Sequence, residues 1–352
     1  SVIIKNKTFK GFGLRDGTSI YSRSGVVTAG TFLSGIVHIG ERKILAGRMG
    51  EERAEGLTES LASFGFRSAR LKTGTPPRLV KKTINWEQTE PSWGDRNPNP
   101  LSYFSQNFKS KNIPCHTINT SANSHEIIKK NLKKSPMFSG DIGGAGPRYC
   151  PSIEDKIHRF KEKESHLLHL EPEWEGSDQI YLNGFSTSLP ESTQLSALRT
   201  ISGLENVEFF RPGYAIEYDF FPPSQLKASL ETKNVSGLFF AGQMNGTSGY
   251  EEAAAQGLIC GINAAKKNQN NPPLILTRDS SYIGVMIDDL ITKSTLEPYR
   301  MFTSRAEHRL YLRFTNTFER LYNISQKNNL LSKEDINLIL SATTEKKIIN
   351  KN

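Results

Sequence analysis

One thiol of this chain stands among residues that could make it reactive. Cys150 lies in GPRYCPSIEDKIHRF, residues 146–160, between Tyr149 and Pro151 and therefore on a loop. Arg148, Lys156, His158 and Arg159 surround it in sequence, and Ser152, with Asp155 three positions on, has the spacing to cap a following helix. Nearby cations and a helix N-terminus both lower a thiol pKa, which a nucleophilic cysteine requires. A buried, inert cysteine is the competing reading, and these residues leave both open. Cys115 and Cys260 complete a set of three, too few and too scattered for a disulfide framework or a zinc site. The cysteine usage points to a reducing compartment.

A second stretch could hold a ligand. Residues 237–265 read GLFFAGQMNGTSGYEEAAAQGLICGINAA. An apolar run, Leu238-Phe239-Phe240, has the character of a buried strand. Gly242, Gly246 and Gly249 follow, and a helix is predicted from about Tyr250 to Ala265. Ser248 and Glu251 have capping-box spacing, and Ala253, Ala254, Leu258, Ile262 and Ala265 form an apolar helix face. Strand, glycine loop and small-residue helix are how α/β folds offer backbone N–H groups to a phosphate or an electron-rich ring. An ordinary strand–helix unit packed tightly through glycine fits the pattern equally.

Cations gather in three further places. Arg300, Arg305, Arg309 and Arg313 fall within fourteen residues, EPYRMFTSRAEHRLYLR spanning 297–313, and suit phosphate contact, with Arg305 and Arg309 on one helix face. Salt bridges to Glu297 and Glu307 are the alternative. Lys72 to Arg78 (KTGTPPR) is a loop able to hold an anion or to act as a stiff turn. In residues 79–135, Trp86, Trp93, Tyr103, Phe104 and Phe108 alternate with Lys81, Lys82, Arg96, Lys109 and Lys111, a mixture suited to stacking on bases. An irregular region with few hydrophobic anchors explains it as well. The net charge of +9 agrees with a solvated basic surface or with a polyanion such as RNA.

The elements that must position these groups can be read in order. Residues 1–33 form a β-meander feeding a strand, and Gly11, Gly13 and Gly17 are hairpin glycines, since they precede no helix and do not match GxGxxG. Helical spacing runs from Glu51 to Phe64, and Arg67 to Leu71 is a short strand. Residues 161–170 continue a charged helix on which His166 and His169 make a solvated i, i+3 pair rather than a metal site. Gln179–Leu189 is strand–turn–strand, 191–203 a helix, and 207–211 a short strand. Residues 266–275 are a linker by composition, and helices follow. No run of eighteen apolar residues indicates a membrane span. The first residue is Ser and the last residues mark no boundary, so the chain reads as the central part of a longer one.

The long words carry a resemblance. GPRYCPSIEDKIHRF and AGQMNGTSGYEEAAAQGLICGINA (241–264) resemble the two signature motifs of the MnmG (GidA) family of tRNA uridine 5-carboxymethylaminomethyl modification enzymes. LKTGTPPR (71–78), RPGYAIEYDFF (211–221) and the arginine block are similar to further family blocks, so that the likeness runs from about Ile3 to about Phe314. It implies an α/β fold, with a Rossmann-like FAD-binding domain, an inserted α+β domain and the start of a helical C-terminal domain. The expected division is 1–75 and 206–270 for the FAD-binding part, 76–205 for an inserted NAD and substrate part, and 271–352 for the helical part. The family's N-terminal GxGxxG unit does not occur in this sequence.

The resemblance further implies a homodimeric, cytoplasmic flavoprotein (or one of an organelle of bacterial origin). It would use FAD and NADH and work with the GTPase MnmE on the wobble uridine of tRNA. Methylenetetrahydrofolate supplies the carbon, and glycine or ammonium the amine. Gln243 matches an FAD-contacting glutamine, with Gly242, Gly249 and Tyr250 beside it. Ala54 aligns with a family serine early in the helix after GRxG, so that only its backbone could serve. The segment assigned to NAD matches Gly146, Pro147, Arg148, Tyr149, Cys150, Pro151, Ser152, Ile153, Glu154, Asp155, Lys156, Ile157, His158, Arg159 and Phe160. Cys150 matches a cysteine proposed as catalytic, and a thiolate adding beside uridine C5 would make that carbon nucleophilic. Amides at the Gly249–Tyr250 helix start would stabilise charge on a reduced flavin. Arg300, Arg305, Arg309 and Arg313 would hold RNA phosphates. A related folate- and flavin-dependent tRNA methyltransferase and a non-catalytic RNA-binding module are the competing readings.

Overall fold

The computed structural model describes residues 1–349 apart from 101, 103, 106, 107, 141, 143–145, 147–150 and 294–296, and the side chains of 342–349 stand outside it. The N-terminal meander is present: Val2–Lys5, Thr8–Gly13 and Ser19–Tyr21 form an antiparallel sheet. Its first turn passes through Asn6 and Lys7, both at positive φ (51° and 55°). The chain then enters a parallel pair, Gly25–Val27 beside Leu238–Phe240. All of Leu238–Phe240 is buried, so the strand shows no alternation, as a strand covered on both faces should. The helix Tyr250–Asn268 packs over both strands.

Around this unit lies the first hydrophobic core. Phe66, Phe221 and Phe240 meet there with ring centroids 5.4 to 6.3 Å apart. Burying each side chain of this size contributes about 1.5–3 kcal/mol. A second core, built on Leu79, Ile128, Ile157, Leu168 and Leu182, lies within residues 79–207. Its sheet is antiparallel, in the order Phe209–Arg211, Arg78–Val80, Gln179–Asn183, Leu167–Pro172, Cys115–Asn119, Glu90–Ser92. A four-stranded antiparallel sheet joins the two regions, ordered Arg42–Ile44, Ile36–Ile39, Tyr214–Phe220, Ala69–Thr75. Its outgoing and returning strands run side by side, in register from Tyr214 opposite Thr75 to Phe220 opposite Ala69.

Several local readings change. The helix after GRxG spans only Leu57–Ala62, because Glu51 and Ala54 are tied by isolated bridges to Arg48 and Leu33, and Gly56 turns the chain through the left-handed region before the helix starts. Residues 161–170 are not a helix. The helix ends at Arg159, and Leu167–Pro172 is a strand whose Leu168 and Leu170 alternate into the second core. His166 is therefore not on a solvated helix face: it is buried, its ring 5.3 Å from that of His125. Within the stretch expected to be irregular, Ala122–Asn131 is a helix started by a capping box of Ser121 and Ser124. The 266–275 stretch is no free linker, since Asn263 exchanges two hydrogen bonds with Leu274 at 3.0 and 2.7 Å. Helices Tyr282–Thr292, Thr317–Lys327 and Lys333–Ile349 follow as expected in kind. Among the described residues no helix is long and apolar enough to cross a membrane.

Candidate functional site: a glycine loop clamped by a polar helix face

The parallel strands deliver two loops to one place. Leaving Leu238–Phe240, the chain makes a short turn, Gly242–Asn245, with Gly242 at φ 81°, a conformation open to glycine and costly for other residues. Leaving Gly25–Val27, it passes Gly30, also at positive φ. The Gln243 side chain lies over Gly30: a methyl group there would stand 3.6 Å from Gln243 Oε1. Beneath it the fully buried Tyr218 hydroxyl faces Gln243 without a hydrogen bond of normal length and angle, and burial pushes that phenol up.

The helix that follows buries polar residues. Its inner face is Glu252, Gln256, Ile259, Cys260 and Asn263, whereas Ala254, Leu258 and Ala265 of the expected apolar face are exposed. Each inner polar group ties down a loop. Gln256, fully buried, accepts from the Gly242 amide at 3.1 Å and from Asn245 Nδ2 at 2.9 Å, and donates to Thr247 Oγ1 at 3.0 Å. Asn245 Nδ2 also donates to Phe240 O at 2.7 Å. Cys260 donates to Phe240 O at 3.3 Å, and burial pushes its thiol up to about 12. Glu252 accepts the Met301 amide at 2.7 Å.

The Ser248–Glu251 capping box does not form. Gly249 is the N-cap and no side chain caps the helix. Ser248 Oγ and Asn245 Oδ1 are buried with no hydrogen-bond partner. Besides the Gly242 amide, two more amides of the loop are already used, Gly246 donating to Gln243 O and Ser248 to Tyr299 O. The remaining donors at the helix start belong to its first turn, where Tyr250 is 94% exposed. An uncapped helix start beside a glycine loop, with unpartnered buried polar atoms, is an arrangement that receives an electron-rich ligand. Ala54 reaches the same core, but its N–H donates to Phe32 O at 2.8 Å and its carbonyl accepts from Ser34 at 3.1 Å. Its backbone is thus engaged within the chain.

Within residues 146–160, Cys150 lies outside the described residues, as do Pro147, Arg148 and Tyr149. Gly146 is next to Lys72, whose Cε lies 3.4 Å from where a methyl on it would stand and whose Nζ donates to Ile142 O at 3.2 Å. The expected cap is present: Ser152 and Asp155 form a capping box at the start of the helix Ile153–Arg159. Ser152, Ile153, Glu154 and Ile157 face the protein interior. Glu154 Oε1 accepts from Ser135, Thr187 and the Ser188 amide at 2.8, 2.8 and 3.2 Å, and burial raises its carboxyl above the usual range. Pro151, Asp155, Lys156, His158, Arg159 and Phe160 keep surface. Of the cations in the 72–78 stretch, Arg78 is already bound, to Glu173 and over the Tyr181 ring at 4.5 Å.

The arginine block is not helical. Thr303–Arg305 is one short turn and the chain then winds through turns to 312, because its apolar residues Ala306 and Leu312 insert beside Val285. Arg305 and Arg309 therefore share no helix face. Arg305 stacks over Tyr299 at 4.4 Å and donates to Arg300 O at 2.7 Å, so its work is structural at least in part. Arg309 and Arg313 are exposed and Arg300 is half-buried. Sequence reasoning missed Gln256, Glu252, Asn245 and Tyr299. The one signal was the recurrence of polar residues at 252, 256 and 263, positions that share a helix face.

Strand pair, glycine loop and clamping helix, joined by a sheet to a second core, define an α/β protein with a Rossmann-like FAD-binding type of fold carrying an inserted α+β part. Comparison places it further. The family model described as glucose inhibited division protein A matches residues 1–272. The tRNA uridine 5-carboxymethylaminomethyl modification enzyme MnmG of Flavobacterium johnsoniae is 53% identical over 334 residues, 95% of this chain and 54% of that protein. The protein of the same description from Bdellovibrio bacteriovorus is 51% identical over 350 residues, 99% of this chain and 54% of its own. The crystal structure of Aquifex aeolicus GidA matches with a TM-score of 0.91 at 47% identity, covering 99% of this chain and 59% of the other. The chain belongs to the GidA (MnmG) family. It spans about half the length of the curated relatives it matches.

Proposed function

We propose that the chain serves a tRNA-modifying enzyme that binds FAD at the glycine loop and acts on the wobble uridine. The observation that carries this is the uncapped start of Tyr250–Asn268 over a loop pinned by Gln256, with Gln243 against Gly30, in a member of a family whose relatives are named for tRNA uridine modification. The residues present fit one side of a flavin. Gly30 and Gly242 leave room for close approach, Ser248 and Asn245 offer unpartnered polar atoms, and the first helical turn offers amides. A bound flavin supplies hydride and electron transfer. This chain's part is to hold the loop, to orient Gln243, and to set positive dipole against the ring.

The finer reading follows the family likeness. NADH is the reductant and methylenetetrahydrofolate the carbon donor, with glycine or ammonium as amine source. The segment 151–160 contributes Asp155, Lys156, His158 and Arg159 to the nicotinamide cofactor, and Cys150 is the reactive thiol. Arg300, Arg309 and Arg313 meet RNA phosphates, whose binding is then salt-dependent. Residues 76–205 form the inserted part between the halves 1–75 and 206–270, and 271–352 begin the helical part. The working protein is a homodimer that assembles with the GTPase MnmE in the cytoplasm.

The full-length protein is tested with hypomodified tRNA, methylenetetrahydrofolate, NADH, glycine and the partner GTPase, reading the wobble nucleoside by mass spectrometry. The new side chain is expected with the wild type and absent with Cys150→Ser. Normal product from that variant removes the thiol assignment. Lack of flavin absorption after FAD is added removes the flavin reading.

A further inference from the structure

The glycine loop and the arginine segment form one hydrogen-bonded unit. Tyr299 donates its amide to Gly246 O at 2.7 Å, and Ser248 donates to Tyr299 O at 3.3 Å, a parallel bridge between Thr247 and Tyr299. Glu252, in the first turn of the helix, closes the unit from beneath. It is 4% exposed, accepts the Met301 amide on Oε1 at 2.7 Å, and holds that oxygen 3.4 Å from Arg300 Nε. Its other oxygen and Arg300 Nε have no hydrogen-bond partner. The Tyr299 hydroxyl reaches the buried Asp289 at 3.1 Å, and Arg305 covers the Tyr299 ring.

We propose that Glu252 is a positioning residue that couples the glycine loop to the arginine segment, so that flavin at the loop and RNA on the arginines bind interdependently. The inference rests on the functional reading above. A buried carboxylate stripped of its donor is costly, and so is a buried amide stripped of its acceptor. Displacing either the loop or the 299–301 segment therefore breaks the other's bonds, and a ligand that orders one orders both. Equilibrium linkage makes the effect reciprocal.

The test uses the full-length protein. FAD affinity is measured by flavin fluorescence with and without unmodified tRNA, and hydrogen exchange of the 297–305 peptide is followed with FAD alone. For the wild type we expect tRNA to tighten FAD about 5-fold or more, the lower range of allosteric couplings, and FAD to slow exchange at 297–305. Glu252→Ala, checked for folding by circular dichroism, should lose both effects. Glu252→Gln keeps an acceptor for Met301 but not the charge facing Arg300. It should retain part of the coupling, and it carries the test if the alanine variant does not fold. Coupling undiminished in both variants, or FAD and tRNA binding the wild type independently, overturns the proposal. A wild type that binds neither ligand overturns the functional reading and this inference with it.

Discussion

The Gln256 carboxamide oxygen holds the Gly242 amide at 3.1 Å with no access to water. The glycine loop thus takes its shape from a side chain fourteen positions away on the next helix. Replacing it by an apolar residue of similar size, Gln256→Leu, strands the Gly242 amide and removes partners from Asn245 and Thr247. A loss of about 2–4 kcal/mol is expected, summed over groups left unpaired. Denaturant unfolding measures it, and FAD titration should show weaker binding in parallel.

Two glycines of the same helix region should respond in opposite directions. A methyl at Gly249 falls 1.7 Å from Glu252 Oε2, so Gly249→Ala must displace the carboxylate that holds Met301. It should cost about 1–3 kcal/mol, as overpacking does. Gly257 has nothing within 4 Å of such a methyl. Gly257→Ala removes a flexible residue from a helix interior and should add about 0.5–1 kcal/mol. Thermal melting of the two variants separates these signs.

Asp289 is fully buried among Lys293, Arg278 and Tyr299. Burial pushes its carboxyl up, but those three partners together outweigh it and hold the group below the usual carboxylate range. A depressed pKa stabilises the fold above the unfolded value near 3.9 and loses that stabilisation as pH falls through the folded one. Urea unfolding between pH 6 and 3, done on the wild type and Asp289→Asn, should show the steeper acid decline in the wild type. Arg278→Met should cost about 2–3 kcal/mol at neutral pH, less than the ~3–5 of a pair left with no cation, because Lys293 remains.

Glu154 has the opposite sign. Burial is the leading cause that raises its carboxyl, against the hydrogen bonds from Ser135, Thr187 and Ser188. A raised acid pKa means the folded state holds its proton more firmly. That stability is complete below the unfolded pKa near 4.3 and lost as pH rises through the folded value. Glu154→Gln should therefore be less sensitive to pH from 5 to 8 than the wild type. Parallel pH profiles for the two proteins contradict the assignment.

The sequence made some features legible and hid others for physical reasons. Glycine spacing after an apolar run located the loop, since positive φ and close approach leave few alternatives to glycine, and the capping box at Ser152 was readable from two residues. Hydrophobic periodicity misled at Tyr250–Asn268, where the inner face clamps neighbours through Glu252, Gln256 and Asn263 instead of only packing against them. It misled again at Leu167–Pro172, where a short alternating run resembled a continuing helix. The joining of Tyr299 to Gly246 depends on residues 53 positions apart, and no local pattern carries it. Which arginines of the 300–313 block face outward was equally unreadable, because the block takes its path from Ala306 and Leu312.

Thr75 and Tyr214 stand opposite one another in the joining sheet. The stretch from 76 to 213, with its own core, thus departs and returns at adjacent points of a finished scaffold. Topologically it is a cassette: Thr75 and Tyr214 lie close enough for a tight reverse turn to join them directly. A fold wired in this way lets the cassette accumulate insertions, or be exchanged, while the glycine loop and its helix stay in register.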